Sequence, residues 1–335
     1  MQLGTRQLHG VSRYQLVLKR RPSPATHSLQ QHQLRGRQHH RGAHLCRFPS
    51  DITGTRAAFT TTKYLDMATF QLKFKPDDTS YDDGAVFSTI QPFLEGRGDA
   101  TLAETVKSIA ATLPGPPDER GSDEHYSLYN LFIDVAKQIP YDEPALVKLV
   151  GVVEQLSQSP KTTLKETTDG VEKLRTLHTL GWNLRDAFNP PFGNINPPEQ
   201  AELSGFLSLN AFMALLWSRN LIEGYDFALW QLRSAFEEEV ADETEAGHLA
   251  AAAAFWAIHA GSRLRQLVVD PPKLSGPEER SLSAGDKFGG ASGYGEERWA
   301  FWVKAFEARA GGSGVDTKLA QRAVSVLKGL EPSRW

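Results

Sequence analysis

Residues 203–267, LSGFLSLNAFMALLWSRNLIEGYDFALWQLRSAFEEEVADETEAGHLAAAAAFWAIHAGSRLRQL, decide the fold. Leu203, Phe206, Leu207, Asn210, Met213, Ala214 and Trp217 recur at three- and four-residue steps, the period of one helix face. Tyr225, Ala228, Leu229, Leu232, Ala235 and Phe236 repeat the pattern in a second helix. Glu245 to Leu267 is a third, about 23 residues or roughly 35 Å long at 1.5 Å per residue. Its Ala250–Ala254 run has no bulky side chain, so a neighbouring helix can approach closely. A helix that is apolar on nearly every side is a central one.

Working upstream, Tyr126–Ile139 is amphipathic, and Leu146, Leu149, Val150, Val153 and Leu156 form a stripe after the Pro140 break, with Asp142 as the expected cap. Ala85–Leu94 reads as a helix, and Asp99 or Thr101 caps another over Leu102–Leu113. Phe70–Phe74 alternates apolar and polar residues and is expected to be a short strand. From Pro160 to Thr168 the chain reads as a polar linker, after which Val171, Leu174 and Leu177 resume a helical face. The Pro/Asn-rich residues 187–199 are the best candidate for a hinge. Downstream, Ser275–Gly295 has the composition of a long mobile loop. Trp299, Trp302, Val303 and Phe306 then share one helix face, and Leu319, Ala323, Val326 and Leu327 another. The expected fold is all-α, an irregular multi-helix bundle over residues 67–335.

With 40% hydrophobic and 23% charged residues among 335, the composition is that of a globular protein. The net charge of -3 conceals an asymmetry. Residues 1–66 hold eleven Lys and Arg against Asp51 and Asp66, so 26 of the 37 basic and 38 of the 40 acidic residues belong to the remainder. An acidic body argues against nucleic acid as the main partner. Cys46 is the only cysteine, which rules out a disulfide framework and suits a reducing compartment. The most apolar run, Leu249–Ile258, is about half a bilayer span, so no membrane segment is expected.

Residues 1–50 contain six histidines and no acidic residue, with apolar residues at no regular period. Residues 1–66 are therefore expected to be a disordered basic tail, including the case of sequence upstream of a start at Met67. An organelle transit peptide and a basic arm for nucleic acid or anionic surfaces are the other readings. Localisation follows the same split: cytoplasmic, or mitochondrial if the tail is a transit peptide.

Five local patterns occur in order: Trp182-Asn183-Leu184-Arg185-Asp186, Leu209-Asn210-Ala211-Phe212, Leu229-Trp230-Gln231-Leu232-Arg233, Phe255-Trp256-Ala257-Ile258-His259-Ala260-Gly261 and Glu297-Arg298-Trp299-Ala300-Phe301-Trp302. As a set, covering roughly Ile90 to Leu330, they resemble a fungal family of all-helical proteins classed only as a domain of unknown function. The resemblance implies a fungal source and a helical fold. It implies no activity and carries over no catalytic residue.

The chemical signals are sparse. Glu245-x-x-His248 is half of a di-iron motif, but His125, His178 and His259 lack a Glu three residues earlier, so no metal is expected. Glu237-Glu238-Glu239 reads as a solvated helix end. Gly289–Gly295 has the glycine density of a phosphate loop without the preceding strand or the Gly-Lys-Ser/Thr. No catalytic residue and no cofactor are assigned, and whether the chain is an enzyme stays open. Asn210, Arg233, His259 and Arg263 are polar residues on otherwise apolar helices. They form either a structural network or a pocket for an anionic small molecule, with Arg233 expected to pair with Glu237 one turn on. The function read from the sequence is a non-catalytic helical interaction or scaffold protein. Its alternative is a small-molecule-binding protein or unrecognised enzyme with a pocket between the central helices. An unknown protein partner or a small ligand is expected, with no membrane.

Overall fold

The computed structural model describes residues 70–76, 81–117, 122–168, 171–193, 196–314 and 316–330. The tail expected over residues 1–66 lies outside them.

Helix starts follow their caps. Asp82 accepts the Ala85 N–H at the head of α1 (Asp83–Leu94). Thr101 and Glu104 form a reciprocal capping box on α2 (Leu102–Thr112), which decides between the two expected caps. Ser122 opens α3 (Asp123–Gln138). For α4 (Pro144–Leu156) the cap position is Glu143, not Asp142, because Pro144 occupies the first turn, where its missing N–H costs nothing.

Two expectations fail between residues 160 and 177. After a short 3₁₀ turn at Pro160–Thr162, strands β1 (Thr163–Thr168) and β2 (Val171–Thr176) pair as an antiparallel hairpin. The three-residue spacing of Val171, Leu174 and Leu177 imitated a helix face. The Thr-rich flanks and the charges that pair across the strands, Glu166 with Arg175 at 2.9 Å and Lys165 with Glu172 at 3.6 Å, favour extended chain instead. Leu164 faces the core, whereas Leu174 lies opposite Lys165 on the other face and is exposed.

The segment 70–76 is extended but is not a strand, because side chains satisfy its backbone. The Leu72 N–H donates to Glu95 Oε1 at 2.7 Å, and Gln91 Nε2 donates to the Leu72 carbonyl at 3.0 Å. Gln138 exchanges two hydrogen bonds with Lys73 in the same way.

The remaining helices are α5 (Leu180–Ala187), α6 (Gln200–Ser218), α7 (Tyr225–Phe236), α8 (Glu243–Val269), α9 (Gly276–Ser281), α10 (Glu296–Ala310) and α11 (Thr317–Gly329). The expected loose loop over 275–295 thus begins with a helix, and it buries Leu282 and Tyr294. As the sequence implied, α8 is central. It packs on α6, α7, α10 and α11, its Ala250–Ala254 run is buried, and α6 in turn meets α3 and α4. The helical path breaks at Ala260 (φ −121°, ψ 16°). A Cβ on the next residue, Gly261, would lie 3.1 Å from Val326 and 3.2 Å from Leu330, so the glycine lets α11 close against the kink. Buried apolar side chains from α1 to α11 form one continuous core, and no helix among the described residues is long and apolar enough to cross a membrane.

Candidate functional site

Helix α3 turns its apolar positions Leu128, Phe132 and Val135 into the core, leaving Asn130, Asp134 and Lys137 along one edge. Opposite this edge stand α5, with Asn183 and Asp186, and the extended segment ending in Lys75 and Pro76. Between them lies a cleft of about 340 Å³ with Ile133 and Ala187 on its walls.

Asn183 is 1% exposed. Its Nδ2 donates to the Tyr126 carbonyl and to Asn130 Oδ1, both at 2.9 Å, which ties α5 to α3. Its Oδ1 is buried and has no hydrogen-bond partner among the described residues. Lys137 is half-buried, its stem against Gly205 of α6. Burial pulls its ammonium below the ordinary lysine pKa; Asp134 opposes the shift and Lys75 adds to it. Neither lysine makes an ion pair among the described residues. Sequence reading missed this group, although Asn130, Asp134 and Lys137 sit at helical spacing. Their meeting with Lys75 and Asn183 depends on contacts across more than forty residues.

No hydrogen bond or ion pair joins any two of the four residues singled out from sequence, of which His259 and Arg263 lie one turn apart on α8. Asn210 is fully buried. It donates to the Phe206 carbonyl at 3.0 Å and accepts the Trp256 indole N–H at 2.9 Å, locking α6 to α8. Arg233 donates to the carbonyls of Ser281 (3.0 Å) and Ser283 (3.2 Å), and pairs with Glu238 rather than Glu237. Arg263 reaches the Ser218 carbonyl at 3.4 Å. His259 stacks on Phe255, and its pKa is pushed down to about 4 by burial, helped by the positive charge of Arg322.

An unfolded histidine protonates near pH 6.5, and folded His259 resists protonation until about pH 4. Its neutral form therefore favours the fold above pH 6.5, and that stability is lost as pH falls through the window, at up to about 1.4 kcal/mol per pH unit. His125, also shifted down by burial, acts with the same sign. In urea titrations from pH 7 to pH 4.5, His259→Gln should flatten the decline. An unchanged slope would count against the burial of His259.

Glu237 corrects the reading of its acidic run as solvated. It is 0% exposed and faces Arg298, itself 1% exposed. Glu237 Oε1 accepts from Arg298 Nε (2.8 Å) and Trp302 Nε1 (2.7 Å), and Oε2 from Arg298 Nη2 (2.8 Å) and the Gly285 N–H (2.9 Å). Arg298 spends its other N–H groups on the carbonyls of Leu282, Ser283 and Gly293. The pair leaves neither charge unmet, so it latches the loop after α9 onto α7 and α10. Gly285 is required beside it, since a Cβ there would sit 2.6 Å from the Glu237 carbonyl oxygen.

His248 Nδ1 bonds the Thr244 carbonyl at 2.7 Å, and the described residues contain no cluster of three or more His, Cys, Asp or Glu able to hold a metal ion.

An all-helical bundle, with one hairpin at its edge, a latched loop and a polar cleft beside α3, is the class these features define. The chain belongs to the family described as a protein of unknown function, DUF3632, whose model matches residues 129–306. No curated protein and no solved structure matches it. The matched span contains the Glu237–Arg298 latch and the Asn210–Trp256 bond, and it holds the α3 and α5 sides of the cleft without Lys75.

Proposed function

We propose that the protein is a helical interaction protein that docks a protein partner on the surface where β2 leads into α5. Trp182 carries this reading. The indole is 57% exposed on a short helix that buries Leu180, Asn183 and Leu184. The ring of His178 meets it edge-on at 5.5 Å. Leu174 of β2 is 62% exposed, and so is 41% of Tyr126 on α3, whose carbonyl binds the Asn183 amide beside Trp182. A large aromatic held in water by buried neighbours has the character of a binding anchor, where a few such residues dominate affinity. By contrast, Asn210 and the Glu237–Arg298 pair support the reading as internal packing devices.

A fungal source and a cytosolic setting belong to the same proposal. The first rests on the ordered motifs quoted above, the second on the single cysteine.

The test is quantitative affinity capture from native extract with the full chain and with the double variant Trp182→Ser, Leu174→Ser. Both positions are exposed, so melting temperatures should agree. A partner bound by the wild type should be recovered at least about tenfold less by the variant, roughly 1.4 kcal/mol. Identical recovery by both proteins would remove Trp182 as the anchor. A wild-type chain that recovers nothing and sediments as a monomer would overturn the reading altogether.

A further inference from the structure

The cleft beside α3 carries an inference separate from partner docking. We propose that it binds a small zwitterion, a molecule with one carboxylate and one ammonium at the spacing of a free α-amino acid.

Charge balance is the first argument. Lys75 and Lys137 face the cleft together with Asp134 and Asp186. A simple anion meets two carboxylates there, and a simple cation meets two ammonium groups. A ligand bearing both charges can set each against its opposite.

Asn183 supplies the second and independent argument. Both hydrogens of its amide are used, while its buried Oδ1 has no donor among the described residues. Buried acceptors in native proteins are nearly always paired. A ligand ammonium offers three N–H donors, enough for Asn183 Oδ1 and the two aspartates. Its carboxylate would then fall to Lys137, which is half-buried and without an ion-pair partner among the described residues. A water molecule could satisfy Asn183 alone, but it brings no charge to set against the half-buried Lys137 and Asp134, whereas Lys75 and Asp186 are exposed and Asp186 accepts from the Tyr126 hydroxyl at 3.5 Å.

Size and polarity give the third. About 340 Å³ is at the lower end of small-ligand sites, which run from roughly 300 to 1,000 Å³. Ile133, Pro76 and Ala187 offer a short apolar surface, suited to a side chain of one to four carbons.

The test is calorimetric titration of the full-length chain with the twenty standard L-amino acids. For whichever binds best, its N-acetyl and carboxamide derivatives follow, with inorganic phosphate alongside. At least one small aliphatic amino acid should bind saturably. Removing either charge should weaken it by about tenfold or more, and phosphate should not compete. Lys137→Met, which keeps the stem packed on Gly205, and Asp134→Asn should each lose about as much as the capped ligands. Amide spectra provide the measurement that needs no variant: the bound ligand should shift the side-chain amides of Asn130 and Asn183. The proposal is overturned if no amino acid binds by about 10 mM, if phosphate or a capped derivative binds equally well, or if the shifts fall elsewhere. Full affinity in a folded Lys137→Met protein overturns it as well.

Discussion

Arg298→Met should destabilise the protein by about 3–5 kcal/mol, among the largest losses expected from any single substitution in this chain. Removing the guanidinium leaves the Glu237 carboxylate at 0% exposure, with only the Trp302 indole and the Gly285 N–H to hold it. It also takes the donor from the Gly293 carbonyl and one of two donors from the carbonyls of Leu282 and Ser283, which keep the Gly293 N–H and Arg233. A carboxylate in that position must protonate, draw in water or force the loop away, and each of these costs free energy. The double variant Arg298→Met, Glu237→Leu should be less damaged than Arg298→Met alone, because no charge is then stranded. Urea unfolding of the two proteins measures the difference. A loss under about 1 kcal/mol for the single variant is what an exposed pair gives, and it would contradict the latch.

Trp256→Ala should cost a similar amount, about 3–5 kcal/mol, by opening a cavity at the centre of the bundle. Trp256 is fully buried on α8 and lies against Trp217 of α6, with ring centroids 6.0 Å apart. Trp256→Phe separates the two contributions. It keeps an aromatic ring but removes the indole N–H, leaving Asn210 Oδ1 buried without a donor at about 1–3 kcal/mol. Thermal and urea unfolding should rank wild type, Phe and Ala in that order. If Phe proved equal to wild type, the Asn210 bond would not be what aligns α6 with α8.

How much was legible beforehand differs between elements for physical reasons. Helices α6, α7 and α8 could be read because each buries a wide apolar stripe, and burial at a period of 3.6 residues leaves its mark on the sequence itself. The cap at Thr101 was similarly local: its side chain acts three residues away. The hairpin was misread because strands of six residues with one inward Leu164 offer too short a period to tell from a helix turn. Glu237 was misread for a different reason. Its neighbours Glu238 and Glu239 are solvated, and nothing in the run shows that Arg298, sixty-one residues later, turns inward to meet it. Arg233 was given the wrong partner by the same rule of nearest charge.

The sequence by itself determined that residues 83–329 are mostly helical, that α8 is the central rod, and that its alanines are buried. Those facts follow from side-chain size and spacing along one helix. Only the tertiary structure decided which polar groups meet: Glu237 with Arg298, Asn210 with Trp256, and Asn183 with α3 beside Lys137 and Lys75. Such pairings depend on burial and on the lack of competing water, which the packing of distant segments creates and no local pattern records.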